Sequence, residues 1–111
     1  MITRRNDAVK MLAEGLIIQM QAFGGSMEPL ISSGSILTFQ AFEHYQINDI
    51  VFCKVEGNFI DAHKIVEMNE AKGYLIGNNK GKINGWTKSV FGKVIEVQAP
   101  PSHGSVHNTT S

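Results

Sequence analysis

Apolar residues near the start of the chain recur at helical spacing, and beyond residue 16 they recur at strand spacing. Ala8, Met11 and Leu12 fall on one helical face, with Ala13 and Glu14 as good helix formers. This predicts a helix over 7–15, with Asp7 as its N-cap and Gly15 as its stop. The Ile-rich segment 16–22 is a first strand candidate. Further strands are predicted over 35–39, 49–55, 58–68, 73–76 and 90–97. Turn signals separate them at Ser33-Gly34, Glu56-Gly57-Asn58, Lys72-Gly73, Gly77-Asn78-Asn79-Lys80-Gly81 and Asn84-Gly85. Val55-Glu56-Gly57-Asn58-Phe59 is a hairpin pattern. Short strands with Gly-rich turns give a small, mostly β, antiparallel domain behind one short N-terminal helix. Trp86, after the Gly77-Asn78-Asn79 turn, is expected as a core or edge aromatic.

Length and charge narrow the classes. The chain has 111 residues, enough for one domain with a modest core, and 42% of them are apolar, which excludes disorder over most of its length. Ten basic and ten acidic side chains cancel, so no electrostatic footprint for nucleic acid is present. The single cysteine, Cys53, lies in an apolar run and is expected to be buried. A disulfide scaffold and a zinc ribbon are both excluded. Lys10, Glu14, Gln19 and Gln21 break up the apolar residues of the first segment, so no membrane span is expected, and a cytoplasmic location follows as the expectation. Residues 99–111 are polar and aperiodic and are expected to form a disordered tail. His103 and His107 there are four apart, but Pro, Gly and Ser oppose a helix, so no metal site is expected and no cofactor is implied.

Chemistry concentrates in Gly24-Gly25-Ser26-Met27-Glu28-Pro29. Two glycines let the backbone turn sharply. A serine after such a turn can offer both its hydroxyl and its own N–H to a carbonyl, as a nucleophile with an oxyanion donor must. Met27 would bury beside it and Pro29 would stiffen the exit.

The segments that follow occur in a telling order. They are Gly25-Ser26-Met27-Glu28-Pro29-Leu30, Gly34-Ser35-Ile36-Leu37, Asn48-Asp49-Ile50-Val51-Phe52, Ala62-His63-Lys64-Ile65-Val66, Gly77-Asn78-Asn79 and Phe91-Gly92-Lys93-Val94. In this order the chain resembles the S24/S26 serine peptidases, the group of signal peptidases and LexA-type repressor peptidases, from about Gly24 to Val97. The resemblance implies a compact, coiled antiparallel β domain over 24–98, preceded by a helix and lead-in strand over 1–23. It implies a serine endopeptidase acting on an extended peptide or protein substrate. Ser26 would be the nucleophile, and Gly24, Gly25, Met27 and Pro29 would shape the substrate site.

The general base has two candidates. Register with the histidine-type members points to His63, and the lysine-type register points to Lys64. Strand alternation places the two on opposite faces, so only one can serve. Desolvation on an apolar strand face could strip a lysine of its charge, which favours Lys64, whereas the family register, and an imidazole already suited to base catalysis near neutral pH, favour His63. His63 is therefore the preferred base and Lys64 the alternative. By alternation, Phe59, Asp61 and Ile65 would share the face of His63, and Ile60, Ala62 and Val66 that of Lys64. The family position for an orienting aspartate is Asn78 here, and Asp61, two residues from His63, is a second candidate orienter. Gly24 stands where a hydroxyl residue often supports the oxyanion, which leaves backbone N–H groups for that role. Ser35, Asn48 and Asn78 depart from the acidic or glycine residues of the pattern. These departures motivate an alternative function, an inactive relative that binds a peptide or protein. With 23 residues ahead of Gly24 and no Ala-Gly bond among them, the sequence reads as a small stand-alone member, without anchor, DNA-binding half or LexA-type self-cleavage.

Overall fold

The computed structural model describes residues 2–100, so His103, His107 and residues 101–111 of the expected tail lie outside the described residues. Helix α1 spans Arg5–Ala13, two residues earlier than predicted. Its N-cap is Arg4, which makes no side-chain cap, and Asp7 instead lies in the first turn. A carboxylate there still favours the helix, because it faces the unpaired N–H groups and the positive end of the dipole. Gly15 stops the helix as expected. At φ +84 it lets Gly15 N–H donate to Leu12 O and Leu16 N–H to Met11 O, which closes the last carbonyls.

Seven strands follow: β1 (Ile18–Gln21), β2 (Ile36–Gln40), β3 (Ile50–Val55), β4 (Asn58–Asn69), β5 (Gly73–Gly77), β6 (Ile83–Thr87) and β7 (Val90–Gln98). They form one antiparallel sheet in the order β1-β2-β7-β3-β4-β5-β6. The protein is thus mostly β, as the pattern predicts. The Glu56-Gly57 hairpin is also as expected. Both residues have positive φ (+49 and +82), and Val55 pairs with Asn58 across a two-residue turn. The sheet curls into a half-barrel, because the end of β6 reaches back to β3. Thr87 Oγ1 donates to Lys54 O (2.6 Å) and Lys54 N–H donates to Ser89 O (3.0 Å).

Strand β6 departs from the sequence reading, which took Asn84-Gly85 as a turn. The pair lies inside the strand. Ile76 pairs with Gly85 and Gly77 with Ile83, so Asn84 is an extra residue, a bulge. Gly85 has φ +134 and lies close against Val55, which makes glycine the residue that fits. A second bulge lies on β4. Val51 pairs with His63 and Cys53 with Ile60, so Phe52 faces both Asp61 and Ala62.

That second bulge corrects the expected faces of β4. Upstream of it the alternation inverts. Phe59 and Ala62 pack on one core with Ala8, Leu12, Met20, Met27, Phe39 and Phe52, under α1. Ile60 packs on the other core, inside the half-barrel, with Val51, Cys53, Ile65 and Ile76. Each buried large side chain contributes about 2–3 kcal/mol of transfer free energy. The helix seals the first core by placing Ala8 and Leu12, both fully buried, over the sheet. Among the described residues no helix is long and apolar enough to cross a membrane.

Cys53 lies fully inside the half-barrel, and burial pushes its thiol up to about 12. The neutral thiol is favoured by folding. This contribution is complete below the ordinary thiol value of about 8.5 and is lost as pH rises toward 12. At pH 8 the buried thiol is therefore protonated and a poor nucleophile. We expect an aromatic disulfide reagent to label the denatured chain at once and the native chain only as fast as the half-barrel opens. Native labelling at the rate of a free thiol would contradict this packing.

Candidate active site

The turn after β1 reverses the chain at Gly24, whose φ of +86 is the left-handed conformation glycine adopts freely. Two bonds close its neck: Ala22 N–H to Ser35 O (2.8 Å) and Gly34 N–H to Ala22 O (2.6 Å). Gly24 N–H is taken by Ser33 Oγ at 3.0 Å. Beyond Gly25 the chain dips to bury Met27 and Ile31, each 3% exposed, in the core under α1. The residue before Met27 therefore stays at the surface, half-buried, and that residue is Ser26. The Glu28–Pro29 peptide bond is cis.

Ser26 Oγ lies 3.2 Å from His63 Nε2. The other ring nitrogen, Nδ1, lies 2.7 Å from Asn84 Oδ1. Ser26, His63 and Asn84 thus form a continuous hydrogen-bonded chain that links the turn, the middle of β4 and the bulge of β6. Among the described residues, no backbone acceptor pairs with the Ser26 N–H. A cleft of about 240 Å³ opens beside Ser26 and His63. Ala22, Phe23, Met27 and Ile31 wall it on one side and residues 59–63 on the other. Phe23 is 77% exposed at its mouth.

The remaining candidates fall into two groups. Gly24, Met27 and Asp61 line the cleft with Ser26 and His63, whereas Gly25 and Pro29 do not. Lys64 is placed beside Ile50 of β3 and Gly77 of β5, and is not part of the cleft wall. Neither proposed orienter meets His63. Asp61 is held by Arg5 of α1 through two bonds, Nε to Oδ1 at 2.7 Å and Nη2 to Oδ2 at 2.8 Å, and the same guanidinium sits over the Phe59 ring. That pairing raises the Arg5 pKa, chiefly through the hydrogen bond to Asp61. Asn78 turns inward on its own loop, where its Oδ1 accepts from Lys80 and Lys82 N–H.

Two residues of the site were not among the sequence candidates. Asn84 was hidden by its Asn-Gly context, which reads as a turn. Asn79, next to the proposed Asn78, ties the 78–82 loop to the turn. Its N–H donates to Ser26 O at 2.9 Å, and its amide reaches Met27 O at 3.3 Å. The backbone bond could form with any residue except proline, so side-chain chemistry carried no signal for it. Trp86 lies half-buried on β6 with Lys72 over its ring, away from the cleft. Among the described residues no group of three or more His, Cys, Asp or Glu is placed to hold a metal. No family model and no curated protein matches the chain.

Burial of Met27 is what holds Ser26 at this height. We expect Met27→Ala to cost about 2–4 kcal/mol in chemical denaturation, in the range of buried Met truncations. Met27→Leu, of similar volume, should stay within about 1.5 kcal/mol of the parent. Equal stability for the alanine variant would show that the turn is not anchored in this way.

Proposed function

We propose that the chain is a serine endopeptidase, akin to the signal-peptidase and LexA-type group, with Ser26 as nucleophile and His63 as general base. The observation that carries this reading is the 3.2 Å approach of Ser26 Oγ to His63 Nε2 beside an open cleft. In such a reaction Ser26 Oγ attacks a peptide carbonyl while its proton passes to Nε2. The oxyanion is met by the Ser26 N–H. The imidazolium then gives its proton to the leaving amine; water, deprotonated by the same nitrogen, attacks the acyl carbonyl, and that proton passes to Ser26 Oγ as the Oγ–C bond breaks and the acid leaves. An extended peptide lying between residues 22–24 and β4 would present its carbonyl to Ser26.

Further support comes from the backbone. Asn48 stands where the resembling pattern has glycine, and it adopts φ +78, the conformation a glycine would supply. The placement of Lys64 outside the cleft wall favours histidine over lysine as base. A second reading, a peptide-binding relative without turnover, is favoured by one specific observation. The partner on His63 is a neutral amide, where a carboxylate stabilises the imidazolium far better.

A fluorophosphonate probe separates the readings. We expect it to label the parent chain and Lys64→Ala alike, to lose about two orders of magnitude in rate with His63→Ala, and to fail with Ser26→Ala. Equal peptide cleavage by the parent and Ser26→Ala from pH 6 to 9 would overturn the peptidase reading. Absent labelling together with peptide capture that survives Ser26→Ala would establish the binding module.

A further inference from the structure

We propose that Asn84 is the positioning residue of this site: it fixes His63 in the tautomer that carries its proton on Nδ1 and leaves Nε2 free to accept from Ser26. The donor inventory leads there. An amide oxygen can only accept, so the 2.7 Å contact from Asn84 Oδ1 requires a proton on Nδ1. A neutral imidazole carries one such proton. Nε2 is then an acceptor, and the Ser26 hydroxyl at 3.2 Å must be the donor. The opposite tautomer would point an N–H at the serine oxygen and disable proton abstraction.

The fold holds Asn84 for this purpose rather than as a turn residue. It is the unpaired residue of the β6 bulge, with its neighbours Ile83 and Gly85 paired to β5 on either side. Such a bulge re-aims one side chain without ending the strand. The charged groups around the pair are otherwise committed or set back. Asp61 on the strand of His63 is neutralised by Arg5 of α1. Glu56 and Lys82 line a separate groove that Asn84 shares, and neither bonds His63. The role of the third member therefore falls to an amide that orients the ring without adding charge.

The kinetic consequence rests on the peptidase reading, but the tautomer does not, so the two can fail separately. Long-range proton–nitrogen NMR on the ¹⁵N-labelled chain, with the His63 signals assigned by loss in His63→Gln, reads both ring nitrogens directly. In the parent we expect a protonated Nδ1 and an unprotonated Nε2. Asn84→Ala should shift the population toward the Nε2–H form. Asn84→Asp should keep the Nδ1–H form, since a carboxylate oxygen accepts from Nδ1 as the amide oxygen does. If the fluorophosphonate reacts with the parent, Asn84→Ala should slow it about tenfold or more, and Asn84→Asp should restore it. An Nε2–H tautomer in the parent, or a tautomer unchanged in a folded Asn84→Ala, would overturn the proposal even with Ser26 fully reactive. A tautomer that follows Asn84 while Ser26 never labels would uphold the positioning role and sink the peptidase reading.

Discussion

Burial of Met27 is the constraint on which the site depends. The chain leaves β1, reverses at Gly24 and must return to β2 through a neck closed by backbone bonds at Ala22 and Gly34. Within that loop Met27 and Ile31 drop into the core under α1. The apolar area they remove from water holds the turn down, at about 2–3 kcal/mol per side chain. Ser26 is raised as a result, since its neighbour Met27 is buried. The turn alone would still be free to rock. Asn79 prevents this by donating to Ser26 O, which ties the loop between β5 and β6 to the turn. The position of the hydroxyl is therefore set jointly by a core contact on one side and a sheet-derived loop on the other.

The partners of Ser26 come from two irregularities in an otherwise regular sheet. Flat strands would present His63 and Asn84 on pleats fixed by alternation. The β4 bulge opposite Phe52 inverts the alternation upstream of His63. Phe59 and Ala62 can then serve one core and Ile60 the other, while Asp61 and His63 both reach the cleft. The β6 bulge frees Asn84 from its ladder position. Each bulge costs a ladder pairing and raises local twist, which suits a sheet curling back so that Thr87 meets Lys54.

Much of this was legible in the chain, and the rest was hidden for definable reasons. The helix, six of the seven strands and the Glu56-Gly57 hairpin follow from periodicity and from glycine placement, which are local signals. Ser26 and His63 could be singled out because their surroundings follow an ordered pattern, and the structure brings those two together. Strand β6 could not be seen. Its Asn-Gly pair carries a strong hairpin signal, and only the pairing of Gly85 with Ile76 and of Ile83 with Gly77 shows that the pair serves a bulge. Asp61 was a reasonable orienter from spacing alone. Its capture by Arg5 depends on where the fold sets α1 relative to β4, a tertiary fact without local trace. Asn78 was one residue away from the side chain that does grip the turn.

The hydrogen-bonded chain of Ser26, His63 and Asn84 contains no carboxylate, and this has a physical logic. A carboxylate against a half-buried imidazole must be desolvated, and it repays that cost only when the imidazolium forms. The hydroxyl, imidazole and amide of Ser26, His63 and Asn84 satisfy one another without a buried charge, so the folded state bears little electrostatic cost. The carboxylate that lines the cleft, Asp61, is kept solvent-accessible and paired. On the proposed peptidase reading, a site built in this way would give up transition-state stabilisation in exchange for a stable resting arrangement. The amide would then supply the orienting half of what an aspartate does, the half that geometry alone can provide.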